Sequence, residues 1–155
     1  MINAYIPHGG SYQEPDTIII HSMGEFINDG TQTQHAVAFL NEYKLSAHAL
    51  IAPDGEIFHC RAPNEIAWHA RGYNKGSIGI EFLVQGEHTY QTFIESIKSP
   101  YLTDKQLASG VALCKQWINE YNIKEILRHS DISPGRKVDP GNGFPWEYFL
   151  TLLGE

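Results

Sequence analysis

Thr17-Ile18-Ile19-Ile20 is a run of β-branched residues that stops at a histidine, His21. Such side chains are stiff at χ1 and favour strands, and an apolar run without alternation reads as a strand buried on both faces. Ser77-Ile-Gly-Ile-Glu-Phe-Leu-Val-Gln85 reads as a second strand. Ile126-Leu127 reads as the end of a third, with His129 at its exit. Two separate strands therefore each deliver an imidazole where an apolar run ends.

Helical patterns are interleaved with these runs. The spacing of Leu107, Val111, Cys114, Trp117, Ile118 and Tyr121 predicts a helix over Thr103 to Tyr121, opened by a capping box of Thr103 with Gln106. A second helix is expected around His35 to Tyr43, capped by Thr31 or Thr33, and a short one over Trp146 to Leu153. Leu45 to Ala52 and Ile57 to His59 read as strands joined by the hairpin turn Pro53-Asp54-Gly55-Glu56. Met1 to Asp16 reads as an irregular lead-in and Arg61 to Gly76 as a loop. Gly86 to Pro100 reads as an insertion, partly helical at Tyr90 to Lys98. With 155 residues, 42% of them hydrophobic, the chain has the size and apolar content of one domain over 1–155. The fold class is α/β: one mixed central sheet with helices packed on its faces.

Charge and composition narrow the function. A formal net charge of −7 argues against a nucleic-acid partner, because phosphate binding needs a basic face. No apolar run approaches the roughly 20 residues needed to cross a bilayer, so no membrane insertion is expected. Met1 to Gly10 has neither a basic n-region nor an apolar h-region. A cytoplasmic place of synthesis is expected. Cys60 and Cys114, two thiols in such a chain, are expected to be free. Oligomeric state is not readable.

The candidate chemistry gathers after His129. There Ser133-Pro-Gly-Arg-Lys-Val-Asp-Pro-Gly141 forms a loop stiffened by proline and freed by glycine, and it carries Asp139. Two histidines and one carboxylate, with water in the fourth position, make the ligand set of a catalytic zinc site. His21, His129 and Asp139 can supply it, for one zinc ion per chain. His48, inside an apolar run, reads as a structural or supporting histidine rather than a ligand.

Four blocks in order resemble the zinc N-acetylmuramoyl-L-alanine amidases, the family that includes recycling amidases, phage lysozymes and peptidoglycan recognition proteins. They are Ile18-Ile-Ile-His21; Ser46-Ala-His-Ala-Leu-Ile-Ala-Pro-Asp-Gly-Glu-Ile57; Ala67-Trp-His-Ala70 with Ser77-Ile-Gly-Ile-Glu81; and Arg128-His-Ser-Asp-Ile-Ser-Pro-Gly-Arg-Lys-Val-Asp-Pro-Gly141. The likeness is chiefly to the recycling-type amidases, through Ser46-Ala-His48 and Lys137-Val-Asp-Pro-Gly141.

The resemblance implies that His21, His129 and Asp139 hold zinc, that Glu81 is the general base, and that Lys137 stabilises the oxyanion. It implies cleavage of the bond between N-acetylmuramic acid and L-alanine in peptidoglycan or muropeptides. Phage-lysozyme relatives place a catalytic Tyr near the position of Ala47, and none stands there here. Trp68, His69 and Tyr73 either line the groove or pack a loop. Arg71 or Arg136 could receive a stem-peptide carboxylate, and Gly86 to Pro100 could reshape one wall. Competing readings are a recognition module that holds the same ligand without cutting it, and an unrelated zinc hydrolase with convergent ligands. Retention of the whole residue set favours the enzyme.

Overall fold

The computed structural model describes residues 2–155, so Met1 lies outside the described residues. In chain order the elements are β1 (Ile2–Asn3), β2 (Gly9–Tyr12), β3 (Thr17–Asn28), β4 (Thr33–His35), α1 (Ala36–Glu42), β5 (Ala49–Ile51), β6 (Ile57–His59) and β7 (Glu65–Ala67). There follow β8 (Ser77–His88), α2 (Tyr90–Ser96), α3 (Asp104–Glu120), β9 (Glu125–Arg128), α4 (His129–Ile132) and α5 (Trp146–Leu153).

The main sheet runs β1-β6-β5-β8-β3-β4, with β9 also on β3. It is mixed: β8 and β9 flank β3 in parallel, whereas β5 and β6 form the antiparallel hairpin expected at Asp54-Gly55. β2 and β7 make a small separate ribbon.

Strand alternation divides the core. Ile18, Ile20, Ala49, Ile51, Ile78, Ile80 and Phe82 turn to the face covered by α3 and α5, where they meet Leu113, Cys114, Trp117 and Phe149. Leu50 and Leu83 turn to the other face and pack with Ala36 and Leu40 of α1. The register His21↔Glu81 puts the carboxylate beside the histidine on this second face. The register Ile20↔Arg128 brings His129 to the level of His21 on its other side.

α3 keeps its expected bounds within a residue. Thr103 accepts from the Gln106 amide and Gln106 reaches back to the Thr103 amide. The buried Gln106 side chain also donates to the carbonyls of Ile51 and Leu83, tying the helix to β5 and β8.

Elsewhere the structure departs from the sequence expectations. β3 continues seven residues past His21, because β4 pairs with Phe26 to Asn28 once β9 has ended. The cap of α1 is the His35 ring, not Thr31 or Thr33; its Nδ1 accepts from the Val37 amide. The lead-in contains two short strands, β1 on β6 and β2, and the loop after Arg61 contains β7, which pairs with β2. Such strands take their order from pairing rather than from apolar pattern.

Candidate metal centre and its groove

Three segments that are distant in sequence deliver three donor atoms to one point. His21 lies in β3, His129 follows β9 directly, and Asp139 comes from the loop beyond α4. His21 Nδ1 and His129 Nδ1 are 2.9 Å apart, and Asp139 Oδ2 stands 3.2 Å from His129 Nδ1 and 3.6 Å from His21 Nδ1. All three residues are buried.

The loop that carries Asp139 is anchored on several sides. The Ser130 amide donates to the Asp139 carbonyl, and the Ser22 amide donates to Asp139 Oδ2. From the segment after α2, the Tyr101 hydroxyl donates to the Pro140 carbonyl and the Ile97 carbonyl accepts from the Gly143 amide. A Cβ on Gly143 would run into the backbone of Ser99, so only glycine lets the two segments come this close.

The donor set fits zinc. Bonds of about 2.0–2.1 Å at tetrahedral angles hold donor atoms about 3.3–3.4 Å apart, and the three separations here bracket that spacing. Two imidazoles and a carboxylate also match the ligand chemistry of open, catalytic zinc sites.

The charges are arranged to match. Burial pushes the Asp139 carboxyl up, but the two imidazoles beside it, His129 and His21, outweigh that and hold the group below the usual carboxylate range. Glu81 moves the opposite way: burial raises it well above a normal carboxyl, Asp139 adds to the rise, and Lys137 opposes it. Its Oε2 is 3.9 Å from His21 Nδ1. Two neighbouring carboxyl groups with pKa values pushed apart are a pattern of acid–base sites.

Above the centre opens a groove of about 810 Å³. Lys137, Trp68, His69 and Arg71 line it together with the three donors and Glu81, and so does Arg136. Phe39 and Tyr43 at one side and Tyr90, Phe93 and Ile94 of α2 at another add apolar walls. The insertion thus reaches the groove as a wall. Tyr73 is not among its lining residues; the Tyr73 side chain is 47% exposed, and its carbonyl accepts from the Ser77 hydroxyl.

His48 is a satisfied histidine. Its Nδ1 accepts from the Gly79 amide, and Nε2 then carries the proton it donates to the Glu65 carbonyl. Burial lowers its pKa to about 4. His69 lines the groove and stands behind His21, on the Nε2 side of its ring, away from the other two donors. Its Nδ1 is 2.8 Å from His21 Nε2 and its Nε2 is 2.9 Å from Ser77 Oγ. Sequence reasoning missed this contact. The available signal was Gly79, a glycine inside an apolar strand, which marks close approach of another group; a Cβ there would strike the His69 ring.

A family model described as N-acetylmuramoyl-L-alanine amidase matches residues 11–142. The 1,6-anhydro-N-acetylmuramyl-L-alanine amidase AmpD of Enterobacter cloacae is 33% identical over 165 aligned positions, covering 91% of this chain and 82% of that one. A crystal structure of a selenomethionine AmpD derivative superposes with a TM-score of 0.76 at 27% identity, covering 98% of this chain and 93% of that one. The amidase AmiD of Escherichia coli, solved with anhydro-N-acetylmuramic acid-L-Ala-D-γ-Glu-L-Lys, superposes with a TM-score of 0.70 at 26% identity. That match covers 92% of this chain and 58% of AmiD.

Proposed function

The chain belongs to the N-acetylmuramoyl-L-alanine amidase family, and from that premise we propose that it hydrolyses the bond between N-acetylmuramic acid and L-alanine in a muropeptide, at zinc held by His21, His129 and Asp139. The observation that carries this reading is the convergence of His21 Nδ1, His129 Nδ1 and Asp139 Oδ2, with Glu81 beside them in the strand register.

A bound zinc ion supplies Lewis acidity, polarising a carbonyl and making water a nucleophile near neutral pH. The chain supplies the proton path. The Glu81 carboxylate takes a proton from the attacking water, whose oxygen bonds to the lactyl carbonyl carbon. As the C–N bond breaks, Glu81 returns that proton to the alanine nitrogen. The Lys137 ammonium donates to the carbonyl oxygen as negative charge grows there.

Trp68 offers an apolar face to the sugar, and the exposed Arg71 guanidinium receives a stem-peptide carboxylate. A soluble fragment suits the chain better than an intact anionic wall, because a net charge of −7 is repelled by such a surface.

The test is incubation of a purified muropeptide with the protein, read by mass spectrometry, with and without a chelator. Free stem peptide and free muramyl sugar are expected, abolished by chelation and restored by zinc. Zinc-replete protein that binds the muropeptide without cutting it would overturn the reading in favour of a recognition module.

A further inference from the structure

We propose that His69 and Ser77 are positioning residues that lock His21 in its Nε2-protonated tautomer, so that the bare Nδ1 faces the metal centre. The proposal rests on the zinc reading above for what Nδ1 then does, but the tautomer itself follows from hydrogen-bond direction alone.

The chain of inference starts at a backbone carbonyl, which can only accept. The Tyr73 carbonyl lies 2.5 Å from Ser77 Oγ, and the Asn74 carbonyl 3.2 Å from it, so the serine proton is spent there. Ser77 Oγ is then left only to accept, and its remaining partner, His69 Nε2 at 2.9 Å, must donate. A neutral imidazole carries one ring proton. His69 Nδ1 is therefore bare, and the contact of 2.8 Å to His21 Nε2 runs from His21 to His69. His21 spends its proton in that bond, and its Nδ1 lone pair is left pointing at His129 Nδ1 and Asp139 Oδ2.

The relay is held in place as well as in direction. Asn74 Oδ1 accepts from the backbone amides of His69 and Ala70, fixing the turn that presents the ring. Gly79, with no side chain, leaves the space the ring fills. The second histidine of the centre has no such tether, since His129 Nε2 is buried and without a hydrogen-bond partner among the described residues. The orientation of the imidazole pair therefore depends on the His21 side. Partners of this kind, standing behind a ligating histidine, set its tautomer and ring angle, and losing one typically costs 10- to 100-fold in metal affinity.

The test has two arms. Long-range ¹H–¹⁵N correlation of the histidine rings reads tautomers directly, in metal-free and zinc-loaded protein. Protons on Nε2 of both His69 and His21 are expected in each state; a proton on Nδ1 of either ring would overturn the proposal. The second arm is zinc affinity by chelator competition. His69→Leu fills the space beside Gly79 without an acceptor and is expected to weaken zinc 10- to 100-fold. His69→Asn, which can set an amide oxygen near the lost Nδ1, is expected to recover most of that loss. Equal affinity in wild type and His69→Leu would reduce His69 to packing and sink the idea. If the wild-type chain binds no zinc at all, the metal reading fails, and the metal-free ring spectra still decide the tautomer.

Discussion

At the scale of single residues, the two groups flanking the donors have opposite tasks. In the proposed reaction Glu81 takes up a proton and then releases it, whereas Lys137 only donates a hydrogen bond. Glu81→Gln preserves shape and removes the base; kcat should fall about 10²- to 10⁴-fold while zinc stoichiometry by elemental analysis stays at one. Lys137→Ala should lower kcat at the mild end of the roughly 10²- to 10³-fold expected for one oxyanion donor, with KM nearly unchanged. A Glu81→Gln enzyme with full kcat would remove Glu81 from the mechanism. His21 and His129 were legible as candidates because each stands where a buried apolar run ends. Asp139 was legible from its stiffened loop. The part played by His69 was not, since the direction of its bond to His21 depends on Ser77 and on a carbonyl at Tyr73. Nothing in the local sequence carries that relation.

At the scale of elements, the segment that ends α2 acts as a brace for the loop bearing Asp139. Ile97, Ser99 and Tyr101 meet Gly141, Gly143 and Pro140 by hydrogen bonds and by direct backbone approach. Gly143→Ala should therefore lift the loop off its brace. We expect a stability loss of about 1–3 kcal/mol by denaturant titration, together with weaker zinc binding. Unchanged zinc affinity in a destabilised variant would separate the brace from the site. α3, β5, β6 and α5 were readable because a capping box, an Asp-Gly turn and helical spacing are local signals. The single turn α4 and the paired strands β2 and β7 were not, because they exist only through contacts with distant partners. The extension of β3 past His21 has the same origin, in β4.

At the scale of the whole molecule, both thiols are sealed inside. Cys60 and Cys114 are free and buried, and burial pushes each up to about 12. Because the raised pKa keeps both protonated at pH 8, a thiol reagent should find almost no thiolate in the folded protein, and two equivalents should react once denaturant is added. Rapid labelling of the native chain would show that one of the two helix-covered faces opens.

Those two faces also have a consequence for how the protein tolerates change. Along the adjoining strands β3 and β8, Ile20, Ile80 and Phe82 turn into the apolar core, while the next positions, His21 and Glu81, turn to the groove. A saturation library scored separately for abundance and for turnover should therefore alternate with a period of two. Substitutions at Ile20, Ile80 and Phe82 should deplete the protein; substitutions at His21 and Glu81 should leave it abundant and inert. Folding and catalysis are thus selected on neighbouring codons yet remain separable, so stabilising changes sought on the core face should leave the chemistry untouched.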